Sequence, residues 1–212
     1  MIKCLIFDLD GTIGNTLPLC IAAFKKSIEP LAGRALSDQE IIDTFGPSEE
    51  GTVQALIPAH YEQGVADYLQ HYNDLHEMCA APFEGIVELF DYLKDRNVRL
   101  ALVTGKGEQS TEITLDIFGI RSYFDVIETG SPLGPRKVQG IKNVLKQLGA
   151  APEESLYVGD APSDIEASRA AGVAVVSAAW AETADTEQLL PLQPDRLFTT
   201  IQEFKQYIQQ AV

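Results

Sequence analysis

Short apolar runs and amphipathic stretches alternate along most of this chain. Candidate strands are 3–8, 98–103 ("VRLALV"), 124–127, 155–158 ("SLYV"), 173–177 ("VAVVS") and a weaker run near 196–198. Most are apolar at successive positions rather than at every second one, the pattern of strands covered on both faces. Between them, apolar positions recur at helical spacing over 85–96, 110–118, 137–149, 163–171 and 200–210. Ser163 is placed to open one of these helices and Gly172 to close it. Strands alternating with helices predict an α/β fold built on a parallel sheet.

One segment breaks the rhythm. From about 15 to 81 there is no strand pattern, only helical spacing. Leu17, Ile21, Phe24 and Ile28 share one helix face, with Lys25 and Lys26 turned away. "SDQE" (Ser37 to Glu40) forms a capping box ahead of Ile41, Ile42 and Phe45. Tyr61, Val65, Tyr68, Leu69, Tyr72 and Leu75 mark a longer helix. A small all-helical unit is therefore expected between the first strand and the rest of the sheet. His60, His71 and His76 fall inside it without metal-ligand spacing, so solvated helix positions are expected for them.

Composition narrows the possible partners. A net charge of −15 argues against nucleic acid, whose binding relies on clustered Lys and Arg. It also makes an anionic substrate awkward unless a metal or local cations offset the field. No apolar stretch is long enough to span a bilayer. The N-terminus lacks the pattern of a signal peptide, and three dispersed cysteines (Cys4, Cys20, Cys79) read as reduced thiols of a cytoplasmic protein.

The chemistry gathers after the strands, where open α/β sheets bind their ligands. "FDLDGT" ends the first apolar run in two carboxylates, Asp8 and Asp10, then Gly11 and Thr12. Such close like charges repel unless a cation sits between them. After "VRLALV" come Thr104, Gly105 and Lys106; "ETGSPLGPRK" delivers Lys137 to a helix start; after "SLYV" come Gly159, Asp160 and Asp164. Asp8 and Asp160, with the Asp10 carbonyl, offer the hard oxygens that Mg²⁺ prefers. Thr104 and Lys137, with N–H groups of the tight turn at Gly11, could hold a phosphoryl group. One carboxylate is then available for attack and a second for proton transfer. Taken singly, each signal is mundane: "DLDGT" as a strand end and turn, Thr104 as a cap, Lys137 as a surface residue, Asp164 as an acid in a helix's first turn. Gly105-Lys106 is no P-loop, since the upstream Gly and the following hydroxyl are missing.

Together, "DLDGT" (8–12), "LVTGK" with Thr104, Lys137, and "VGDAPSD" (158–164) make the chain resemble the haloacid dehalogenase (HAD) superfamily of aspartyl-phosphate phosphatases over essentially its whole length. The helical segment resembles the cap inserted after the first motif in the phosphoglycolate phosphatase-like branch. The resemblance implies a Rossmann-like catalytic core of 1–14 and 82–212 and a cap of 15–81. It implies Asp8 as nucleophile and Asp10 as general acid, then base. Thr104, Gly105 and Lys137 would hold the phosphoryl group, Asp8, Asp10 and Asp160 the Mg²⁺, and Asp164 would orient Lys137 or a metal-bound water. Asn15 stands where the branch usually has Asp, and Val138 follows Lys137 where it usually has Pro.

The expected function is Mg²⁺-dependent hydrolysis of a small phosphorylated metabolite, with phosphoglycolate first and pyrophosphate, nucleoside monophosphates and sugar phosphates as alternatives. A β-phosphoglucomutase would carry a cap His at the position of Cys20. The cap turn, with Gly46, Pro47 and Ser48, is expected to face the site and set specificity. Ser48 would open a helix whose N–H groups suit an anion, unless Glu49 and Glu50 pointed inward to oppose it. A receiver domain would need adjacent acids after its first strand, and Leu9 separates these two. A silent phospho-ligand-binding protein and a metal-free dehalogenase are the other rivals; both leave the full set of acids unexplained.

Overall fold

The computed structural model describes residues 1–212. Six strands, β1 (Cys4–Phe7), β2 (Arg99–Val103), β3 (Val126–Glu128), β4 (Ser155–Gly159), β5 (Ala174–Ala178) and β6 (Arg196–Phe198), form one parallel sheet in the order β3-β2-β1-β4-β5-β6. All six predicted strands are present, with no end shifted by more than two residues.

The apolar runs follow from the layering. Along β1, Leu5 and Phe7 join one buried cluster while Cys4 and Ile6 join another on the opposite face. Helices α1 (Leu17–Ala32), α2 (Asp38–Ile42), α3 (Glu49–Leu56) and α4 (Tyr61–Asp74) lie between β1 and the next helix, α5 (Ile86–Asp95). The larger cluster joins residues of these inserted helices to α5, α6 (Glu108–Phe118) and α10 (Ile201–Ala211). The smaller one is closed by α7 (Lys137–Leu148), α8 (Pro162–Ala171) and α9 (Thr186–Leu189). No helix is long and apolar enough to cross a membrane.

Inside the insert, α1 packs along α4 through Phe24 on Tyr68, with ring centroids 4.3 Å apart. The Ser37 capping box forms as expected, with Ser37 Oγ accepting from the Glu40 N–H and Glu40 accepting from the Ser37 N–H. Several helix ends differ from the expected ones by one or two residues, and two starts are informative. Helix α6 begins at Glu108 rather than 110. Helix α8 begins at Pro162, not Ser163, because the Asp164 carboxylate accepts from the Ala161 N–H and draws the first turn back. Pro162 fits there, since a first-turn residue needs no N–H partner.

Candidate active site

Strands β1 and β4 are neighbours at the centre of the sheet, where the chain's direction of progress reverses. A crevice opens beyond the carboxyl ends of such a pair, and Asp8 and Asp160 directly follow these two strands. The Asp8 N–H donates to the Val158 carbonyl at 2.9 Å, so the ladder fixes the first carboxylate. The chain then wraps round the Leu9 carbonyl, which accepts from the N–H groups of Thr12, Ile13 and Gly14. Gly11 adopts φ 75°, and a Cβ there would collide with the Asp160 carboxylate. The N–H groups of Gly11 and Thr12 are spent on Gly14 and Leu9, so they are not the free phosphoryl donors expected of this turn.

Lys137 ties two of the acids together. Its ammonium donates to Asp8 Oδ2 at 2.9 Å and to Asp164 Oδ1 at 2.5 Å. Asp164 is buried and also accepts from the Tyr157 hydroxyl at 3.0 Å and the Ala161 N–H at 2.9 Å. Asp164 thus accepts three hydrogen bonds, one of them from Lys137. Burial works against the charge on Lys137, but Asp164 and Asp8 outweigh it and keep the ammonium protonated far above neutrality. Burial pushes the Asp8 carboxyl up to about 6; Lys137 opposes the shift, and Asp164 and Asp10 add to it. Burial, then Asp8 and Asp164, hold Asp160 well above the usual carboxylate range.

Asp8 Oδ1 is buried with no hydrogen-bond partner. Asp160 receives one side-chain donor, the Thr12 hydroxyl at 3.3 Å. Carboxylate oxygens of Asp8, Asp160 and Asp164 lie within 4.8 Å of one another. An orphaned oxygen among crowded acids fits a hard divalent cation. Since Asp164 is already bonded, Asp8 and Asp160 are the carboxylates left to hold one. The Asp10 carboxylate turns the other way, towards the insert, where the Thr16 hydroxyl donates to it at 2.5 Å.

The loop after β2 forms the opposite wall. Thr104 is buried, and its hydroxyl oxygen accepts from the Lys106 N–H at 3.2 Å, leaving its own proton to give. Lys106 is buried too, with its ammonium 3.5 Å from Asp10, 3.6 Å from Glu49 and 3.2 Å from Cys20 Sγ. The Tyr72 ring backs it at 4.1 Å. Glu49, from the first turn of α3, accepts from the Gly107 N–H at 2.5 Å and from the Ser110 hydroxyl. Behind them, Thr114 hydrogen-bonds Tyr72 at 2.7 Å and His76 at 3.1 Å. His76 is thus buried in the seam between insert and core, not solvated as expected; His60 is exposed.

The family model described as haloacid dehalogenase-like hydrolase matches residues 5–178. The chain belongs to this hydrolase family. It is 30% identical to a pyrophosphatase PpaX of Bacillus pumilus, over 92% of this chain and 90% of that one. It is 33% identical to a phosphoglycolate phosphatase of Thiobacillus denitrificans, over 82% of each. Among solved structures, a haloacid dehalogenase-like family hydrolase of Streptococcus pneumoniae superposes with a TM-score of 0.80 at 25% identity, covering 98% of both chains. The fold is also that of a protein described as a putative β-phosphoglucomutase from Thermotoga maritima, with a TM-score of 0.78 at 21% identity.

In this HAD-like hydrolase the turn at 45–48 rests on the loop that leads to Lys137. The Ser48 N–H donates to the Ser131 carbonyl at 3.0 Å, and Gly46, at φ 135°, lies against Pro135. Ser48 does start α3, but its hydroxyl is committed to Glu50, and Glu49 points inward. The condition that would oppose a substrate carboxylate at this helix start is therefore met. From the sequence, Lys106 was weighed only as part of a P-loop, which it is not, and Glu49 only as a charge that could oppose an anion; neither was expected among the site residues. Their signal was a lysine directly after Thr104-Gly105 at a strand end, and an acid in the first turn of a helix in the insert.

Proposed function

We propose that this hydrolase is a Mg²⁺-dependent phosphomonoesterase that works through an aspartyl-phosphate on Asp8. The observation that carries this reading is the Asp8 carboxylate, with one oxygen held by Lys137 and the other buried without a partner. Leaving a buried acceptor unpaired costs about 1–3 kcal/mol, more when it is charged. A site that keeps one is arranged for something that arrives later. Mg²⁺, held by Asp8, Asp160 and the Asp10 carbonyl, would supply charge neutralisation for the acids and polarisation of the phosphoryl oxygens.

The chain's own groups divide the remaining work. An Asp8 oxygen attacks phosphorus, the bond from phosphorus to the leaving oxygen breaks, and Asp10 gives that oxygen its proton. Asp10 then removes a proton from the water that attacks the phosphoenzyme, which frees Asp8 and inorganic phosphate. Thr104 donates its proton to a phosphoryl oxygen, Gly105 leaves the approach beside it open, and Lys137 supplies fixed positive charge. The helices of 15–81 act as the cap over the core of 1–14 and 82–212, with Gly46, Pro47 and Ser48 shaping its contact with the phosphate side.

A small phosphorylated metabolite is the substrate in this reading. Phosphoglycolate comes first and pyrophosphate second, activities that the relatives' names support. The test is a phosphomonoester panel assayed with Mg²⁺ and with chelator, on wild type and Asp8→Asn. Activity should require the metal, and Asp8→Asn should lower kcat by about 10⁴-fold or more while the protein stays folded. Unchanged turnover by a pure Asp8→Asn preparation, free of deamidation, would overturn the assignment.

A further inference from the structure

We propose that Lys106, the Gly107 N–H and the Ser110 hydroxyl form a subsite for a negative charge on the leaving group, and that Glu49 occupies it when substrate is absent. The inference rests on the phosphatase reading and specifies the class of ester.

Position is the first argument. The Lys106 ammonium is 3.5 Å from the Asp10 carboxylate, the group assigned to protonate the leaving oxygen. Lys137 is instead engaged with Asp8 and Asp164. One lysine therefore addresses the phosphoryl group, and the other lies beside the departing fragment.

The second argument is the company Lys106 keeps. A buried ammonium is costly unless anions and hydrogen bonds meet it. Asp10 is one anion, and Glu49, at 3.6 Å, is the other. Glu49 is held as a carboxylate ligand would be. It accepts the Gly107 N–H and the Ser110 hydroxyl while the ammonium stands alongside. The buried site thus already binds a carboxylate, supplied by the protein itself.

The third argument is topology. Every donor comes from the loop after β2 and the start of α6, whereas Glu49 comes from α3 of the insert. Movement of the insert away from the core would withdraw Glu49 and leave the donors together. A leaving group bearing a carboxylate or a phosphate near its ester oxygen can then take the vacated place. A carboxylate swap keeps the charge around Lys106 unchanged, in a chain whose net charge of −15 otherwise repels anions.

The test compares kcat/KM for phosphoglycolate, pyrophosphate and 2-hydroxyethyl phosphate, with p-nitrophenyl phosphate as a control for the shared chemistry. 2-Hydroxyethyl phosphate keeps the alkyl ester of phosphoglycolate and replaces its carboxylate by a hydroxymethyl group. In wild type, at least one anionic substrate should exceed it by about 10–100-fold, the worth of one charged hydrogen-bonded contact. Whether phosphoglycolate or pyrophosphate does so tells carboxylate from phosphate. Lys106→Met should shrink that preference to about threefold or less, mainly through KM, and Lys106→Arg should restore part of it. Glu49→Gln, which removes the competing charge, should lower KM for the preferred anionic substrate several-fold.

If Lys106→Met does not fold, the wild-type ratio and Glu49→Gln decide the matter. Turnover of all four substrates with no anionic preference, or equal losses on all of them in Lys106→Met, would overturn this inference alone. A folded wild type that turns over none of them in Mg²⁺ would overturn the phosphatase reading, and this inference with it.

Discussion

Two lysines lie at this site, Lys106 buried and Lys137 half-buried, and each stands between two carboxylates. Lys137 joins Asp8 and Asp164, both from the core, through bonds of 2.9 and 2.5 Å. Lys106 lies between Asp10 of the core and Glu49 of the insert at 3.5 and 3.6 Å, distances of attraction rather than hydrogen bonding. The first cluster is built from Asp8 after β1, Lys137 at the start of α7 and Asp164 in α8, with no residue from the insert. The second exists only while two groups of helices are in contact. In the proposed function the first cation would meet the phosphoryl group that every substrate shares, and the second the part that differs.

Asp10 belongs to the core by sequence but its carboxylate lies with Thr16 and Lys106, so its loss should be the largest test of the division. Asp10→Asn should cost about 10²–10⁴-fold in kcat on an alkyl phosphate, the typical range for general acid–base catalysis. The loss on p-nitrophenyl phosphate should be smaller, because that leaving group departs without a proton. Equal losses would remove the proton-transfer role from Asp10.

Lys137→Met separates the two lysines. It should reduce kcat/KM by about 10²–10³-fold on every phosphoester alike, as when one fixed electrostatic donor is lost. A loss that depended on the leaving group would assign Lys137 to the fragment side and undo the contrast.

The two clusters should also differ in how they respond to pH and metal. Burial lifts the Asp8 carboxyl from 3.8 to about 6 despite Lys137. Between those values Asp8 holds more of its proton in the folded metal-free chain than in the unfolded one. Its contribution to stability should therefore fall as pH rises from about 4 to 6, by on the order of 2 kcal/mol. A divalent cation favours the ionised acids, so Mg²⁺ should raise Tm more at pH 7 than at pH 5. An equal rise at both, measured by calorimetry, would place metal binding away from Asp8.

The smallest effect belongs to the seam. Tyr72→Phe removes the hydroxyl bonded to Thr114 and keeps the ring behind Lys106. It should cost about 1 kcal/mol in denaturant unfolding and leave the order of substrate preference intact. A reordered preference would give the hydroxyl a part in recognition.

Legibility in the sequence followed the reach of each interaction. The strands were readable because a stretch buried on both faces must be largely apolar, as "CLIF" is and as "SLYV" is after Ser155. The acids and Lys137 were readable because each follows a strand or opens a helix, so chain order alone brings them to one end of the sheet. The first turn of α8 was misplaced by one residue because the Asp164 carboxylate, three positions on, sets it by reaching back to Ala161. His76 was misread because a polar residue near a helix end looks the same in water as beneath a neighbouring helix. What buries it is contact with α6, some 38 residues later in the chain.

The sequence by itself determined the parallel sheet, the insertion between its first strand and the rest, and the set of acids gathered beyond the strand ends. Those features depend on local pattern and on the order of elements, which the chain carries in linear form. Only the tertiary structure decided that Asp164 accepts from Lys137, that Asp8 keeps an unpartnered oxygen, and that Glu49 is bound by the loop after β2. Each of these is a competition among donors and acceptors far apart in sequence, settled by distances of a few ångströms that exist once the insert has packed against the core.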